Sequence, residues 1–355
     1  MPVSRSLIAP TANPLLERAL RDKLKRRSET TGKLGELEPL AVRLGLVQNS
    51  LKPRFKAPQI ALFAADHGLA VDGVAAPGQP TTARLVQSLL TSQLPVSVFA
   101  RIQGMELSVV DCGVAETVAP HPRLMARKIA HGSRNVRVNM AMTLDQAHAA
   151  IRAGMEIADS MVGNLVACAG IGLGSHESAA LVLSALSGEP IQNLVLSPTM
   201  TPEDGTRVMM VLQAAQARHR ELSDPVEVLA ACGGFEIAMM VGVLLVASSK
   251  RRLIMIDGMP ACAALMVAAR IAPTVTDYCV FCRSHGHPGL STTLGLFKTL
   301  ALLELGMEST DGTGATLAFP LVMSAAALLT EVAEGEDAGP SQPADMTPPD
   351  AGSAG

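Results

Sequence analysis

The sequence predicts an α/β fold, a parallel sheet covered on both faces by helices. Three observations predict it. Short apolar runs alternate along the chain with longer segments of helical spacing. Those short runs are almost continuously apolar, as strands buried on both faces are, rather than alternating. Four of them stop at polar or glycine-rich punctuation, Asp66-His67-Gly68, Asp111-Cys112-Gly113, Gly170 to Ser175 and Asp257-Gly258. Ligands in such folds bind beyond the carboxyl ends of the strands, so this recurrence points to a site on one sheet edge.

The elements follow in order. Asn13 to Arg27 reads as an amphipathic basic helix, Thr30 to Gly35 as a turn, and Leu37 to Gln48 as a second helix with its apolar face at Leu37, Leu40, Ala41, Leu44 and Val47. Pro53 and Pro58 mark entry to the core, and Gln59 to Ala64 is the first buried strand. Thr82 to Leu90 and Ser97 to Gln103 are helical, and Leu107 to Val110 is the second strand. Thr143 is the expected N-cap of a long helix, Leu144 to Met161. Asn164 to Ala169 is the third strand, followed by a helix at Ser178 to Ser187. Thr206 to Arg220, Pro225 to Ala231 and Ile237 to Ser248 are helices, before a fourth strand at Leu253 to Ile256. Cys262 to Ile271 is helical and Tyr278 to Cys282 is the fifth strand. Thr292 to Glu304 and Gly314 to Glu334 are the last helices. From Gly335 the chain is rich in Glu, Asp, Pro, Ser and Gly, a disorder-forming composition.

Composition removes several classes of function. A chain of 355 residues that is 48% apolar, with mean hydropathy +0.30, can bury a large core, and Ala, Leu, Val and 18 Met must fill it, because Trp is absent and Tyr278 is the single tyrosine. A net charge of −3 offers no basic field for nucleic acid, and there are no aromatic platforms for bases. The N-terminus lacks the apolar core of a signal peptide, and the longest apolar run, Ile237 to Ser248, is too short to span a bilayer, so no membrane association and a cytoplasmic location are expected. The six cysteines sit mostly in apolar runs and read as buried thiols; Cys279 and Cys282 form a C-x-x-C without a second pair at zinc spacing.

Several stretches carry candidate chemistry. In Ser309 to Ala315, S-T-D-G-T-G-A, one carboxylate lies between hydroxyls and glycines after an apolar helical run; Asp311 reads as a general base in a pocket of glycine-rich loops, or as the cap of the final helix. Glu308 neighbours it. Gly170 to Ser175 is either a tight turn or an anion cradle at a helix N-terminus; its spacing is neither the dinucleotide G-x-G-x-x-G nor a Walker loop, which disfavours a dehydrogenase. His176 and Glu177 open the next helix. Gly233-Gly234-Phe235-Glu236 would let backbone approach a ligand, or Glu236 caps the following helix. Arg283 to His287 follows the last strand; without a partner at metal spacing its histidines give no metal site.

Read together, these stretches resemble a known family. K-L-G-E-L-E at Lys33 to Glu38, F-A-A-D-H-G at Phe63 to Gly68, Gly78-Gln79, V-V-D-C-G-V at Val109 to Val114 and G-S-R-N at Gly132 to Asn135 before A-M-T occur in order. Ser223 to Ala238, I-D-G at Ile256 to Gly258 and D-G-T-G-A at Asp311 to Ala315 complete the set. From about Asn13 to Ala333 the chain resembles the nicotinate-nucleotide–dimethylbenzimidazole phosphoribosyltransferases. The resemblance implies a Rossmann-like core and a smaller helical domain built from both chain ends. The division is then residues 1–50 (N-terminal helices), 51–290 (core), 291–334 (C-terminal helices completing the small domain and the site) and 335–355 (tail). It implies a homodimer without cofactor that moves the phosphoribosyl group of nicotinate mononucleotide to a benzimidazole-type base, with inversion and release of nicotinate.

In that picture Asp311 takes the proton from the attacking nitrogen. The implied substrate-binding set is Asp66, His67, Gln79, Gly132, Asn135, Gly170, Gly172, Gly174, Ser175, Arg207, Gly233, Gly234, Phe235, Glu236, Asp257, Gly258, Ser284, His285, Gly312, Thr313 and Gly314. The chain departs from the family in having aspartate where a glutamate is usual, in the glycine turn at Cys168 to Ser178, and in S-H-G-H-P-G at Ser284 to Gly289. Those departures motivate a second reading, a diverged non-catalytic homologue that binds a nucleotide or partners an active paralogue in a hetero-oligomer.

Overall fold

In a computed structural model the described residues are 8–75, 78–284 and 288–333. They run α1 (Pro14–Thr31), α2 (Leu37–Gln48), β1 (Gln59–Ala65), α3 (Thr82–Leu90), α4 (Pro95–Ile102), β2 (Glu106–Gly113), β3 (Leu124–Ala126) and α5 (Leu144–Ser160). Then come β4 (Leu165–Ile171), α6 (Ser175–Ser187), α7 (Ile191–Val195), α8 (Pro202–Arg218), α9 (Pro225–Cys232), α10 (Phe235–Ser249), β5 (Leu253–Ile256) and α11 (Met259–Ile271). The series ends with β6 (Cys279–Arg283), α12 (Pro288–Leu296), β7 (Ala301–Leu303) and α13 (Thr313–Thr330).

The sheet has seven strands in the order β3-β2-β1-β4-β5-β6-β7, and every neighbouring pair is parallel. β1 lies between β2 and β4, so the winding reverses direction there. The central strands β1, β4 and β5 are buried almost throughout, which accounts for their unbroken apolar sequences. Because all strands are parallel, the punctuated strand ends at residues 66, 111, 171 and 257 do share one edge. Local signals fix the long helices: Thr143 caps α5 in a complete capping box with Gln146, and Asp224 caps α9 by accepting from Val226 N and Glu227 N.

The two chain ends meet. α13 packs on α1, α2 and α4 and also on β6 and β7. The buried Tyr278 donates its hydroxyl to Ala9 O at 2.7 Å. α13 is apolar and long enough to cross a membrane by length and composition, yet 61% of it is buried inside the protein. Its apolar character is that of a core helix.

The structure corrects several expectations read from the sequence. Thr292 to Glu304 is not one helix: α12 ends at Leu296 and β7 pairs with β6. Lys298 adopts a left-handed φ of 52°, with Thr299 N donating to Leu294 O and Lys298 N to Gly295 O, so the helix stops in a Schellman-type turn. β7 therefore belongs to the central sheet rather than to a purely helical C-terminal segment. The short elements β3 and α7 were not anticipated, and α13 closes at Thr330. The stretch before Asp311 is accordingly a strand and loop, not a helical run. His285 and the 335–355 tail lie outside the described residues.

Candidate active site

The crevice lies where the winding reverses, beyond the carboxyl ends of β1, β4, β5 and β6. It has two lobes, of about 450 Å³ and about 410 Å³. Gln79, His176, Ser309 and Asp311 line both, so these four residues stand at the junction. The wider lobe is walled by Ser197, Thr199, Arg207, Met259 and Leu290 among others. The narrower lobe has an apolar wall from Pro80, Leu85, Ile171, Leu173 and Pro260.

Asp311 is held by one oxygen. Arg283 Nη2 donates to its Oδ1 at 2.5 Å, and among the described residues nothing bonds Oδ2. Arg283 stands at the end of β6 and is 5% exposed; its Nε donates to Asp257 Oδ1 at 2.8 Å and its Nη1 to Met307 O at 3.2 Å. Asp257, at the end of β5, has a fully buried side chain. Its Oδ2 accepts from Gly312 N at 2.7 Å and Ala315 N at 3.2 Å, the amides of the N-cap and of the first turn of α13. Burial pushes the Asp311 carboxyl up to about 7, against the pull of Arg283 and with a further push from Asp257. An aspartate so placed is half ionised near neutral pH, as a general base should be.

The turn after β4 has packing reasons for its glycines. A β-carbon at Gly172 would lie 1.7 Å from Ala65 O, and one at Gly174 3.0 Å from His67 Cβ. Beneath it sits a buried trio. His67 Nε2 is 2.9 Å from Glu236 Oε1, and Ser175 Oγ donates to the same oxygen at 2.7 Å. Burial lowers the His67 pKa, but the Glu236 charge and hydrogen bond outweigh it and leave the imidazole above its ordinary value. His67 Nδ1 and Glu236 Oε2 have no hydrogen-bond partner among the described residues. Glu236 thus anchors the first residue of α6 to β1, rather than lining a lobe.

The remaining expected residues separate into two groups. Gln79, Gly170, Gly172, Ser175, Arg207, Gly258 and Asp311 line the crevice. The others support it from behind. Asp66 accepts from Thr82 Oγ1 and, at 2.7 Å, from Ala115 N, tying β1 to α3 and the β2 loop. Gly132 rests near Asp66 O, and Asn135 donates to Asp72 at 2.7 Å. Phe235 is buried against Gly113, and Gly233 packs on Leu229. Gly234 lies against His67 and Glu236. Gly312 packs on Leu62, Thr313 bonds Thr310 O, and Gly314 abuts Asp257 and Arg283. Ser284 donates to Glu304 at 3.1 Å, away from both lobes.

Ser197, Thr199 and Met259 line the crevice without any signal in the sequence, because a lone hydroxyl or methionine in a loop has no pattern. Arg283 could have been found: it stands beside the histidines that drew attention, at a strand end. All six cysteines are free and buried, and burial raises their thiol pKa values, to about 12 for Cys279 on the C-x-x-C. Among the described residues no cluster of His, Cys, Asp or Glu fits a metal ion.

Comparison with known proteins identifies the family and the fold. The phosphoribosyltransferase family profile matches residues 9–339. The nicotinate-nucleotide–dimethylbenzimidazole phosphoribosyltransferase of Cupriavidus taiwanensis is 40% identical over 92% of this chain and 94% of its own length. That of Dechloromonas aromatica is 39% identical, covering 91% and 95%. A crystal structure of the Thermus thermophilus enzyme superposes with a TM-score of 0.82 at 29% identity, covering 90% of this chain and 96% of the other. The chain belongs to the family of nicotinate-nucleotide–dimethylbenzimidazole phosphoribosyltransferases.

Proposed function

We propose that this protein transfers the phosphoribosyl group of nicotinate mononucleotide to a benzimidazole-type base, giving an α-ribazole-type 5′-phosphate and nicotinate. The observation that carries the mechanism is the open Oδ2 of Asp311 at the junction of the two lobes. The donor nucleotide occupies the wider lobe. Its 5′-phosphate lies toward Arg207, Ser197 and Thr199, since Arg283 is already committed to two carboxylates. The flat acceptor base lies in the narrower, apolar-walled lobe. This moves the phosphate away from the glycine turn, whose glycines are already explained by packing.

The acceptor ring nitrogen attacks the anomeric carbon as the bond to the nicotinate nitrogen breaks, and nicotinate leaves with the bonding pair. Asp311 Oδ2 takes the N–H proton of the attacking ring, which leaves the product neutral at that nitrogen. Attack from the lobe opposite the leaving group inverts the anomeric carbon. Small charges and close placement suffice here, and holding two substrates in adjoining lobes supplies the proximity. Incubation of the purified protein with nicotinate mononucleotide and 5,6-dimethylbenzimidazole, followed by chromatography of released nicotinate, tests the reading. Absence of nicotinate with every benzimidazole and purine offered would sink it.

The working unit is a cytoplasmic homodimer in this reading, with residues 1–50 and the C-terminal helices forming a small domain beside the core. Light scattering on the pure chain reads the oligomeric state directly, and a monomer would contradict it.

A further inference from the structure

We propose that Arg283 is the positioning residue of the transfer reaction: anchored on Asp257, it fixes the place and the charge state of the carboxylate that receives the proton. The inference rests on the reading of Asp311 as the base. Each of the three guanidinium nitrogens has a fixed partner. Nε is on Asp257 Oδ1, Nη1 on Met307 O and Nη2 on Asp311 Oδ1. The planar fork of an arginine holds such a set in one orientation, which a lysine ammonium does not. Asp257 is itself fixed, because its second oxygen takes two amides of α13. The chain of support therefore runs from the last helix through Asp257 and Arg283 to one oxygen of Asp311. The other oxygen is left for substrate.

The charge argument is equally direct. Asp257 and Asp311 flank one guanidinium in a buried setting. Without the cation, two neighbouring carboxylates share a low-dielectric site and one of them takes up a proton. Among the described residues Asp257 Oδ2 takes two backbone amides and Asp311 Oδ2 takes none, so the proton goes to Asp311 and the base is lost at neutral pH. The other charged or titratable groups facing Asp311 are Glu308 on its own loop, His176 from α6, and Asp204 and Arg207 from α8. Cys262 from α11 lies close enough to feel its charge. Among the described residues none of these hydrogen-bonds the Asp311 carboxyl, and Arg283 does.

The test uses the full chain with Arg283→Met, Arg283→Lys and Asp257→Asn. Two readouts are taken: the pH profile of kcat/KM with nicotinate mononucleotide and 5,6-dimethylbenzimidazole, and the ¹³C titration of the Asp311 carboxyl. In Arg283→Met the acid limb and the carboxyl titration both move up by about one pH unit or more. Turnover at neutral pH falls about tenfold or more and recovers in alkaline buffer, a rescue that a merely structural lesion does not show. Arg283→Lys moves the limb less than Arg283→Met, and Asp257→Asn, which removes the neighbouring negative charge, moves it down. KM for the nucleotide stays within about twofold, since the three guanidinium nitrogens are turned to Asp257, Met307 O and Asp311. Limbs and titrations that coincide with wild type in variants of native thermal stability overturn the proposal. If Arg283→Met does not fold, Arg283→Lys and Asp257→Asn decide by their opposite shifts. The carboxyl titration needs no turnover, so a wild-type protein that releases no nicotinate sinks the functional reading and leaves the positioning claim to be judged on its own.

Discussion

Gly258 leaves open the space that the Asp311 carboxyl fills: a β-carbon built on Gly258 would lie 2.2 Å from Asp311 Cγ and Oδ2. Gly258 also has φ 88°, a left-handed conformation that side chains resist. Gly258→Ala therefore strains the turn and pushes the carboxyl off its place. We expect kcat to fall roughly 100-fold, the size of effect that about 1 Å of misplacement produces. Steady-state kinetics beside a thermal melt separate misplacement from unfolding; an unchanged kcat contradicts the geometry.

Asp311→Asn keeps the shape of the residue and removes its basicity. Turnover should drop roughly 100- to 10,000-fold while nucleotide binding, read by calorimetry, persists. In the unaltered protein kcat/KM should climb with pH and level off above about 7, where Asp311 becomes ionised. A flat profile through neutral pH would rule this carboxylate out.

The same titration bears on stability. Because burial raises the Asp311 pKa above the ordinary aspartate value, the folded chain keeps a proton that the unfolded chain has released. This group's contribution therefore falls as pH rises from about 4 toward about 7. Urea unfolding should show a shallower decline over that window in Asp311→Asn than in the parent chain.

Glu236→Gln tests the buried trio. His67 gains a partner in the fold and its pKa is raised. The pair stabilises fully below the unfolded histidine pKa of about 6.5, and that stabilisation is lost as pH rises through the higher folded value. The substitution should destabilise by roughly 3 kcal/mol in mildly acidic buffer and by less in alkaline buffer. Equal losses at both pH values would mean that the pair carries no charge.

Arg207→Ala should weaken the donor nucleotide without altering the chemical step. Arg207 reaches Gly73 O at 2.8 Å and pairs with Asp204, and it faces the wider lobe. Loss of a charged hydrogen bond of about 1.5–3 kcal/mol predicts KM for nicotinate mononucleotide raised by roughly 10- to 150-fold, with kcat little changed. A fall in kcat at constant KM would place the phosphate elsewhere.

How much of this could be read from residues alone depends on the length of the signal. β1, β4 and β5 are continuous apolar runs closed by Asp or Gly, and their identity and shared edge were legible. β3 and β7 span three residues each and are only half-buried, too short for any period to show. Leu294, Phe297 and Ala301 keep helical spacing across the point where Lys298 turns left-handed, so the sequence reads as a helix where the fold has a strand. In the site, Asp311 was legible because a carboxylate among glycines and apolar residues is unusual. The linkage from Asp257 through Arg283 to Asp311 was not, since Arg283 and Asp257 lie apart in sequence and are joined only by the adjacency of β5 and β6. Likewise the glycines at 172 and 174 announce a turn, while their packing against Ala65 and His67 arises only in the folded chain.

The contact between Asp257 and the amides of α13 has a consequence for synthesis on the ribosome. β5 emerges long before Gly312 and Ala315, so Asp257 waits with its second oxygen unfilled until nearly the whole chain has left the tunnel. Sheet strands β1 to β6 can assemble earlier, yet neither lobe has its shared carboxylate until the last helix docks. A chain terminated before Asp311 thus lacks both the amides that hold Asp257 and the carboxylate that the two lobes share.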